Sequence, residues 1–308
     1  MAERLFEHEL SGIRIVGHSL AGEESVVAVP ELNVCFDAGK APAAFLAIDH
    51  LLLTHGHMDH AAGVAYYLSQ RNFVGNSPGT IVCPKPLVEP LRDLLRVWGR
   101  LEGHVTPANI VGLEPGQEHE IRKGLVARSF AVNHRVPALG YAIVDVRRKL
   151  RPEFADRTGP QLVELKKQGV EIQYSVEVPL VTYCGDTAEG EFLNLEPVRR
   201  ARVLVIECTF FEEDHVRRAR EGYHLHVRDL ARILPKLENE WVLVTHLTRR
   251  TALREARRTL GKMVDADRLA RVRFLHEGRR FDSHARPAGA GAAGPAREPA
   301  APMDDDEG

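Results

Sequence analysis

Short apolar runs rich in β-branched residues recur along the chain, separated by Gly, Pro and Asn. Near the beginning, "IRIVG", "SVVAVP" and "LNVCFDAG" predict short strands that make an antiparallel start. The run "AIDHLLLTH" then predicts a buried strand that ends at His55. Beyond it, "AAGVAYYLSQ" has a helical composition, and "PLVEPLRDLLRVWGRL" places Leu91, Leu94, Leu95 and Trp98 at helical intervals. The pattern predicts a strand, a polar loop and then helices.

Five later apolar runs repeat this alternation, and each predicts a strand that ends in a polar or ionisable residue. They are "LVARSFAVNH", "LGYAIVDV", "VPLVTYCGDT", "VLVIECTF" and "WVLVTH". Because side chains at the ends of neighbouring strands can converge on one rim of a sheet, and because loops on such a rim usually carry function, we expect the chemistry of this protein there.

Two segments interrupt the pattern. Residues 147–171 are too polar to form a core, and we expect them to project from the domain as an arm. Residues 283–308 are mainly Ala, Gly and Pro with an acidic end, and they lack the apolar surface that a packed structure requires. The sequence therefore predicts one domain over residues 1–282 and a disordered tail over residues 283–308.

Composition and charge exclude several classes of protein. The chain has 308 residues, of which 44% are hydrophobic, so it can bury a large core. Its 41 basic and 43 acidic residues give a net charge of -2, so any basic surface for nucleic acid must be local. Four cysteines without paired spacing favour reduced, buried thiols. The N-terminus is charged and no apolar stretch has the length of a membrane helix, so we expect a cytoplasmic protein without a membrane partner.

The densest group of ionisable residues follows the strand that ends at His55. Within six positions the chain places His55, His57, Asp59 and His60. A tight loop can aim two imidazoles at one ion and a carboxylate with an imidazole at its neighbour, and Zn²⁺ prefers this mixture of ligands. The alternative is a polar loop that is merely rich in histidine.

Three other strand ends complete this group. His134, Asp186 and His246 each follow an apolar run, although any one of them alone would be read as a hydrogen-bonded turn residue. Together they predict a two-metal set: His55, His57 and His134 for one ion, Asp59, His60 and His246 for the second, and Asp186 as the bridge. Two adjacent ions can stabilise both oxygens of a phosphodiester displacement.

The motifs "THGHMDH", "GDT" and "THLTRR", with the lone His134 between the first two, resemble the motif series of the metallo-β-lactamase fold over residues 13–281. Within that superfamily, "IECTF", "EGYHLH" and "THLTRR" resemble ribonuclease Z in its short, plant-type form. The resemblance implies an α/β fold, a four-layer αβ/βα sandwich. It also implies a two-zinc endoribonuclease, with Mn²⁺ or another divalent ion as an alternative. Such an enzyme removes the 3′ trailer from precursor tRNA and leaves a 3′-hydroxyl on the tRNA.

The resemblance also implies roles for single residues. Asp59 would bind metal and orient the attacking water, and Glu207 with His224 would deliver a proton to the leaving oxygen. Thr248 and Arg250 match positions that would contact phosphate. The family has an arm that grips the tRNA body and a homodimeric assembly, so the arm here would offer its basic residues to phosphates. The residues singled out for this role are Arg147, Arg148, Lys149, Arg151, Lys166 and Lys167, for which a merely solvated face is the alternative.

Two other functions compete with this interpretation. The first is a di-metal phosphodiesterase or ester hydrolase that acts on a small molecule, which would not need the arm. The second is a binding or regulatory module that kept the fold without its activity. An intact set of seven ligands together with Glu207 and His224 argues against the second, because a purely structural domain has no use for an open di-metal site.

Overall fold

The computed structural model describes residues 5–281, and the predicted tail lies outside these residues. Within this range, fifteen strands form two sheets. The first sheet has the order β15-β1-β2-β3-β4-β5-β6-β7, and its strands are β1 (Phe6–Leu10), β2 (Ile13–Leu20), β3 (Glu24–Val29), β4 (Val34–Phe36), β5 (His50–Leu52), β6 (Thr80–Pro84), β7 (Asn109–Leu113) and β15 (Arg279–Arg280). The second has the order β14-β13-β12-β11-β10-β9-β8, and its strands are β8 (Glu118–Arg122), β9 (Leu125–Ala131), β10 (Leu139–Leu150), β11 (Gln173–Tyr183), β12 (Val203–Glu207), β13 (Trp241–Thr245) and β14 (Val272–Phe274).

Both sheets follow the same plan. In the first, β1 to β4 pair antiparallel and β4 to β7 pair parallel. In the second, β8 to β11 pair antiparallel and β11 to β14 pair parallel. The antiparallel start that the sequence predicts is confirmed. Because parallel neighbours need a crossover connection, the helices fall in the second part of each sheet.

Nine α-helices of the described residues lie in these connections and in the arm. They are α1 (Met58–Ala61), α2 (Val64–Phe73), α3 (Val88–Glu102), α4 (Gly159–Lys167), α5 (Glu196–Arg200), α6 (Val216–Gly222), α7 (Val227–Ile233), α8 (Leu253–Gly261) and α9 (Ala266–Ala270). No helix of this part of the chain is both long enough and apolar enough to cross a membrane.

The leucine run before His55 shows how the layers pack. Leu52 enters the core between the two sheets, together with Tyr141 and Tyr183. Leu51 and Leu53 enter a second core beneath α2 and α3, because successive residues of a strand point to opposite faces. A third core packs the outer face of the second sheet against α7 and α8. The layers are therefore helix, sheet, sheet and helix, as the predicted αβ/βα sandwich requires.

The segment predicted as an arm is an extension of two strands. β10 and β11 stay paired from Asp145 opposite Val178 to Leu150 opposite Gln173, and α4 lies at their tip. Arg147 forms an ion pair with Asp145 at 2.6 Å, and Arg151 forms one with Glu171 at 3.0 Å. Four other basic residues of the arm, those predicted to bind phosphates, have no carboxylate oxygen within 4.0 Å among the described residues: Arg148, Lys149, Lys166 and Lys167. These four charges are available to an external anion.

Helix α3 forms where the sequence predicts it, but only part of its apolar stripe enters the core. Leu91 is buried, whereas Leu94 and Trp98 remain 40% and 43% exposed. Leu101 is 71% exposed on the same helix. The exposed apolar side chains therefore form a surface face of α3 rather than a core contact. The four cysteines, by contrast, are buried and unpaired as expected.

Candidate active site

The predicted ligands lie in loops at the carboxyl ends of strands from both sheets. The loop after β5 carries His55 and His57, and α1 begins directly after His57, so Asp59 and His60 lie in its single turn. His134, Asp186 and His246 follow β9, β11 and β13. The structure brings all seven together. The potential ligand atoms of His55, His57, His134 and Asp186 lie within 4.8 Å of one another, and so do those of Asp59, His60 and His246. A third such set joins Asp186 and His246 to Glu207 and His224.

The first group contains three imidazoles and one carboxylate. His57 Nδ1 lies 3.1 Å from His55 Nε2 and 3.2 Å from His134 Nε2. Asp186 Oδ2 lies 3.8 Å from His55 Nε2. Two nitrogens bound tetrahedrally to one Zn²⁺ at about 2.05 Å would be separated by about 3.3 Å. The spacing of the imidazoles therefore fits ligands of a single ion.

The second group shares the same carboxylate. Asp186 Oδ2 lies 3.3 Å from both His60 Nε2 and His246 Nε2. These two nitrogens are 3.4 Å apart, and His246 Nε2 lies 3.4 Å from Asp59 Oδ2. Asp186 is only 3% exposed, so its oxygens face the two groups rather than solvent. The arrangement is that of a carboxylate placed between two ion sites.

Hydrogen bonds to the outer nitrogens orient four of the imidazoles. His55 Nδ1 bonds Thr54 Oγ1 at 3.0 Å, and His134 Nδ1 bonds the carbonyl of Tyr223 at 3.4 Å. His246 Nδ1 bonds Thr209 Oγ1 at 2.9 Å. Such outer partners fix the tautomer that leaves the inner Nε2 without a proton, which is the form that binds metal. The donor set and its partners therefore fit a di-metal centre.

The fourth oriented imidazole is that of His60, and its partner is Asp37, which the sequence did not reveal. Asp37 is fully buried at the end of β4, and its Oδ2 accepts hydrogen bonds from His60 Nδ1 at 2.8 Å and from the Tyr183 hydroxyl at 3.1 Å. Its Oδ1 accepts from the backbone N–H of Thr54 at 2.8 Å. One carboxylate thus orients both the second ion group and the loop of the first. The signal was an Asp at a strand end in "CFDAG".

Glycine at position 185 lets the two groups approach each other. Gly185 has a φ of 63°, a left-handed conformation that favours glycine. A Cβ atom there would lie 2.9 Å from the side chain of Thr54. Because Thr54 supports His55 and Gly185 precedes Asp186, a larger residue would force the shared carboxylate away from the first group.

The charge state of the cluster follows from burial and close pairing. Burial lowers the pKa of His55 well below its ordinary value and also lowers the pKa of His57 and His134, so these rings are neutral and able to bind metal. Burial alone would raise the pKa of Asp186, but His246 and His60 hold it well below the usual range. Burial alone would lower the pKa of His60, yet Asp186 and Asp37 raise it well above its ordinary value.

Glu207 and His224 form a second pair beside the metal ligands. His224 Nδ1 donates to Glu207 Oε1 at 2.7 Å, and the Glu207 carboxylate also accepts from the backbone N–H groups of Thr187 and Leu225. Glu207 is 1% exposed. Burial alone would lower the pKa of His224, but Glu207 raises it to about 9. The His224 ring stacks on that of His246 with centroids 5.3 Å apart, so a protonated imidazole faces the metal ligands.

An open cavity of about 460 Å³ gives access to these groups. His57, Asp59, Asp186, His224 and His246 line one part of it. The predicted phosphate-contacting residues Thr248 and Arg250 also line it, together with Phe210, His215, Arg218 and Arg249. No residue of the arm is among its lining residues, so the arm does not line the cavity of its own chain.

Comparison with known proteins agrees with the fold and the motifs. The family model described as "Beta-lactamase superfamily domain" matches residues 28–247, which include all seven predicted ligands. The structure of human tRNase Z, short form, superposes with a TM-score of 0.54 and 16% identity, covering 80% of this chain and 94% of that one. The fold and the site thus define a metallo-β-lactamase-type protein.

Two relatives show which family of this superfamily the chain belongs to. The chain is 32% identical to tRNase Z TRZ1 of Arabidopsis thaliana over 80% of its own length and 89% of that protein. It is 33% identical to chloroplastic tRNase Z TRZ2 of the same plant, over 83% of its own length and 73% of that protein. The chain therefore belongs to the tRNase Z, or ribonuclease Z, family of this superfamily, and the predicted resemblance is confirmed.

The role of Asp37 generates a test that separates the two ion groups. Asp37→Asn keeps the size of the side chain but removes the charge that orients His60, and we expect the affinity of one ion to fall about 10–100-fold. The ion held by His55, His57 and His134 should be weakened less, because Asp37 reaches His55 only through Thr54. Competition with a chelator measures the two affinities, and circular dichroism checks that the variant is folded. Equal weakening of both ions, or of neither, would contradict the assignment of Asp37 to the second group.

Proposed function

We propose that this protein is a metal-dependent endoribonuclease that cleaves precursor tRNA just after the discriminator base. It would remove the 3′ trailer by phosphodiester hydrolysis and leave a 3′-hydroxyl on the tRNA. The observation that carries the proposal is a cluster of seven potential metal ligands beside the Glu207–His224 pair, in a chain of the tRNase Z family. Four of the seven ligands line one open cavity together with His224.

We further propose that the resident ions are two Zn²⁺, with Mn²⁺ or another divalent ion as an alternative. His55, His57 and His134 would hold one ion, Asp59, His60 and His246 the other, and Asp186 both. The preponderance of imidazole over carboxylate in this set supports zinc. When bound, the ions would lower the pKa of a water and stabilise negative charge on the phosphate oxygens.

The side chains of the protein supply orientation and a proton. Asp59 lines the cavity next to His246, where its carboxylate would accept a hydrogen bond from the attacking water. As the water oxygen bonds to phosphorus, the bond from phosphorus to the 3′-oxygen breaks and the phosphate stays on the trailer. The departing 3′-oxygen would take its proton from His224, which Glu207 keeps protonated and oriented. Thr248 and Arg250 would hold the scissile phosphate.

The arm, which lies outside the cavity, supports RNA rather than a small molecule as the substrate. Arg148, Lys149, Lys166 and Lys167 of the arm have no carboxylate partner among the described residues. They would bind phosphates of the tRNA body, distant from the cut.

The exposed apolar face of α3 supports a homodimer. Large apolar patches mark interfaces, and a dimer contact would cover Leu101 and Trp98. In such a dimer the arm of one chain could serve the site of the other. Four buried, unpaired cysteines support a cytoplasmic location.

Incubation of zinc-loaded protein with an end-labelled precursor tRNA tests the proposed activity. We expect one cut, immediately after the discriminator base, with a 3′-hydroxyl on the tRNA and a 5′-phosphate on the trailer. Metal removal should abolish the cut and added zinc should restore it. Hydrolysis of a generic phosphodiester together with failure to cut the precursor would instead favour a small-molecule phosphodiesterase.

The proposed proton donor generates a prediction that depends on the leaving group. His224→Ala should lower turnover of precursor tRNA roughly 10²–10⁴-fold, the range expected for a lost general acid. Bis(p-nitrophenyl) phosphate should be affected much less, because its leaving group needs little protonation. Metal content should remain that of the wild type. His104→Ala, a change at an exposed histidine just beyond the end of α3, is the control and should change neither rate. Equal losses on both substrates would mark His224 as structural.

The arm generates a prediction about salt dependence. Replacing Arg148, Lys149, Lys166 and Lys167 together by Gln should weaken binding of precursor tRNA and flatten its dependence on salt, because fewer counterions are released. Replacing Arg147 and Arg151 by Gln is the matched control, since both are already ion-paired and should contribute less. Hydrolysis of a small phosphodiester should survive both changes within about twofold. Unchanged tRNA affinity in the quadruple variant would show that the arm does not bind tRNA.

A further inference from the structure

Arg218 is a cation at the rim of the active-site cavity that none of the proposed steps uses. It lies on α6, is exposed to solvent and lines the cavity. Its neighbour Arg217 is ion-paired with Glu221 at 2.6 Å, and Arg249 across the cavity is paired with Glu23. In residues 5–281, no carboxylate oxygen lies within 4.0 Å of the Arg218 guanidinium. Its charge is therefore available to an anion in the cavity.

An aromatic ring holds the guanidinium in place. The Arg218 Cζ atom lies 5.7 Å from the centroid of the Phe210 ring, and Phe210 is only 7% exposed. The backbone N–H of Val227 donates to the carbonyl of Phe210 at 2.8 Å, so the ring sits on a fixed support. A guanidinium against a ring face keeps the N–H groups at its edge free, and that edge fits two oxygens of a phosphate.

Helix α6 is also tied to the metal-ligand loop. Arg135 donates from its guanidinium to the carbonyl of Glu221 at 3.0 Å, in the last turn of the helix. His134, a proposed metal ligand, donates to the carbonyl of Tyr223 at 3.4 Å, one residue before His224. These two bonds fix the helix that carries Arg218 relative to the groups that act on the scissile bond.

The position of Phe210 shows which side of the scissile bond Arg218 faces. The Phe210 ring contacts the His224 ring edge-on, with centroids 6.2 Å apart. In an in-line displacement the attacking water and the leaving oxygen lie on opposite sides of phosphorus. Since His224 is the proposed donor to the leaving oxygen, the Phe210 ring that links Arg218 to His224 assigns Arg218 to the leaving side of the scissile bond.

We propose that Arg218 binds the phosphate on the 5′ side of the nucleotide whose 3′-oxygen leaves. This inference rests on the proposed function, because it takes the leaving nucleotide to be the last one of the tRNA. Arg218 thereby holds the phosphate one step upstream of the scissile one, which Thr248 and Arg250 hold. A guanidinium contact to two phosphate oxygens positions the leaving nucleotide over His224 and takes no part in breaking the bond.

The experiment combines a protein variant with a substrate variant. One precursor tRNA carries an uncharged methylphosphonate at the phosphate 5′ to the discriminator nucleotide, and a second carries it at the first phosphate within the trailer. Arg218→Ala should lower kcat/KM for the unmodified precursor roughly 10–100-fold, as expected for a lost charged contact. Arg217→Ala, the ion-paired neighbour on the same helix, should match the wild type.

The upstream methylphosphonate should cost the wild type a similar factor, but cost Arg218→Ala less than about twofold, because the contact is already lost. The trailer methylphosphonate should affect both proteins equally. An equal penalty from the upstream modification in both proteins, or wild-type activity of Arg218→Ala, would overturn the role of Arg218 while leaving the nuclease intact. A wild-type protein that does not cut the unmodified precursor at one position would overturn the proposed function and this inference with it.

Discussion

The buried carboxylate of Asp186 is the contact on which the rest of the site depends. It lies within 3.8 Å of imidazole nitrogens of His55 and His60, in the segment after β5, and of His246, in the loop after β13. A carboxylate that is 3% exposed is unfavourable unless positive charge or hydrogen bonds compensate it. In the protein alone, protonated His60 supplies that charge, and in the metal-loaded protein the ions would do so. The same side chain therefore stabilises the apoprotein cluster and would join the two ion sites.

The two sheets, rather than any single loop, hold the ligand cluster in position. Each ligand follows a strand whose alternate side chains are buried on both faces, so the strand ends cannot shift without disturbing two cores. Asp37 then links the sheets at the site, because it bonds His60 and Thr54 near the first sheet and Tyr183 of the second. The cavity is open above this rigid rim, which suits a substrate as large as a folded RNA.

The sequence was sufficient to predict site residues that stand together in a local motif. It was insufficient for residues whose role depends on packing. His55 to His60 stand out because four ligating side chains follow one buried strand, and the strand ends at His134, Asp186 and His246 repeat that signal. Asp37 carries the same signal but stands alone in its loop, so only the contact with His60 reveals it. The apolar spacing of α3 predicts a helix but not which of its positions stay exposed. The sequence also does not show that Arg218 lacks an ion-pair partner. Arg217 is its neighbour in the same helix, yet Arg217 is ion-paired.

Anomalous X-ray scattering from crystals of the zinc-loaded protein, with data on both sides of the zinc absorption edge, would test the shared carboxylate most directly. We expect two zinc peaks per chain, about 3.5–4 Å apart, with the Asp186 carboxylate between them. One peak should lie among His55, His57 and His134, and the other among Asp59, His60 and His246. A single peak in zinc-saturated crystals, or two peaks of which either is out of bonding distance of Asp186, would contradict the two-ion centre built around this residue.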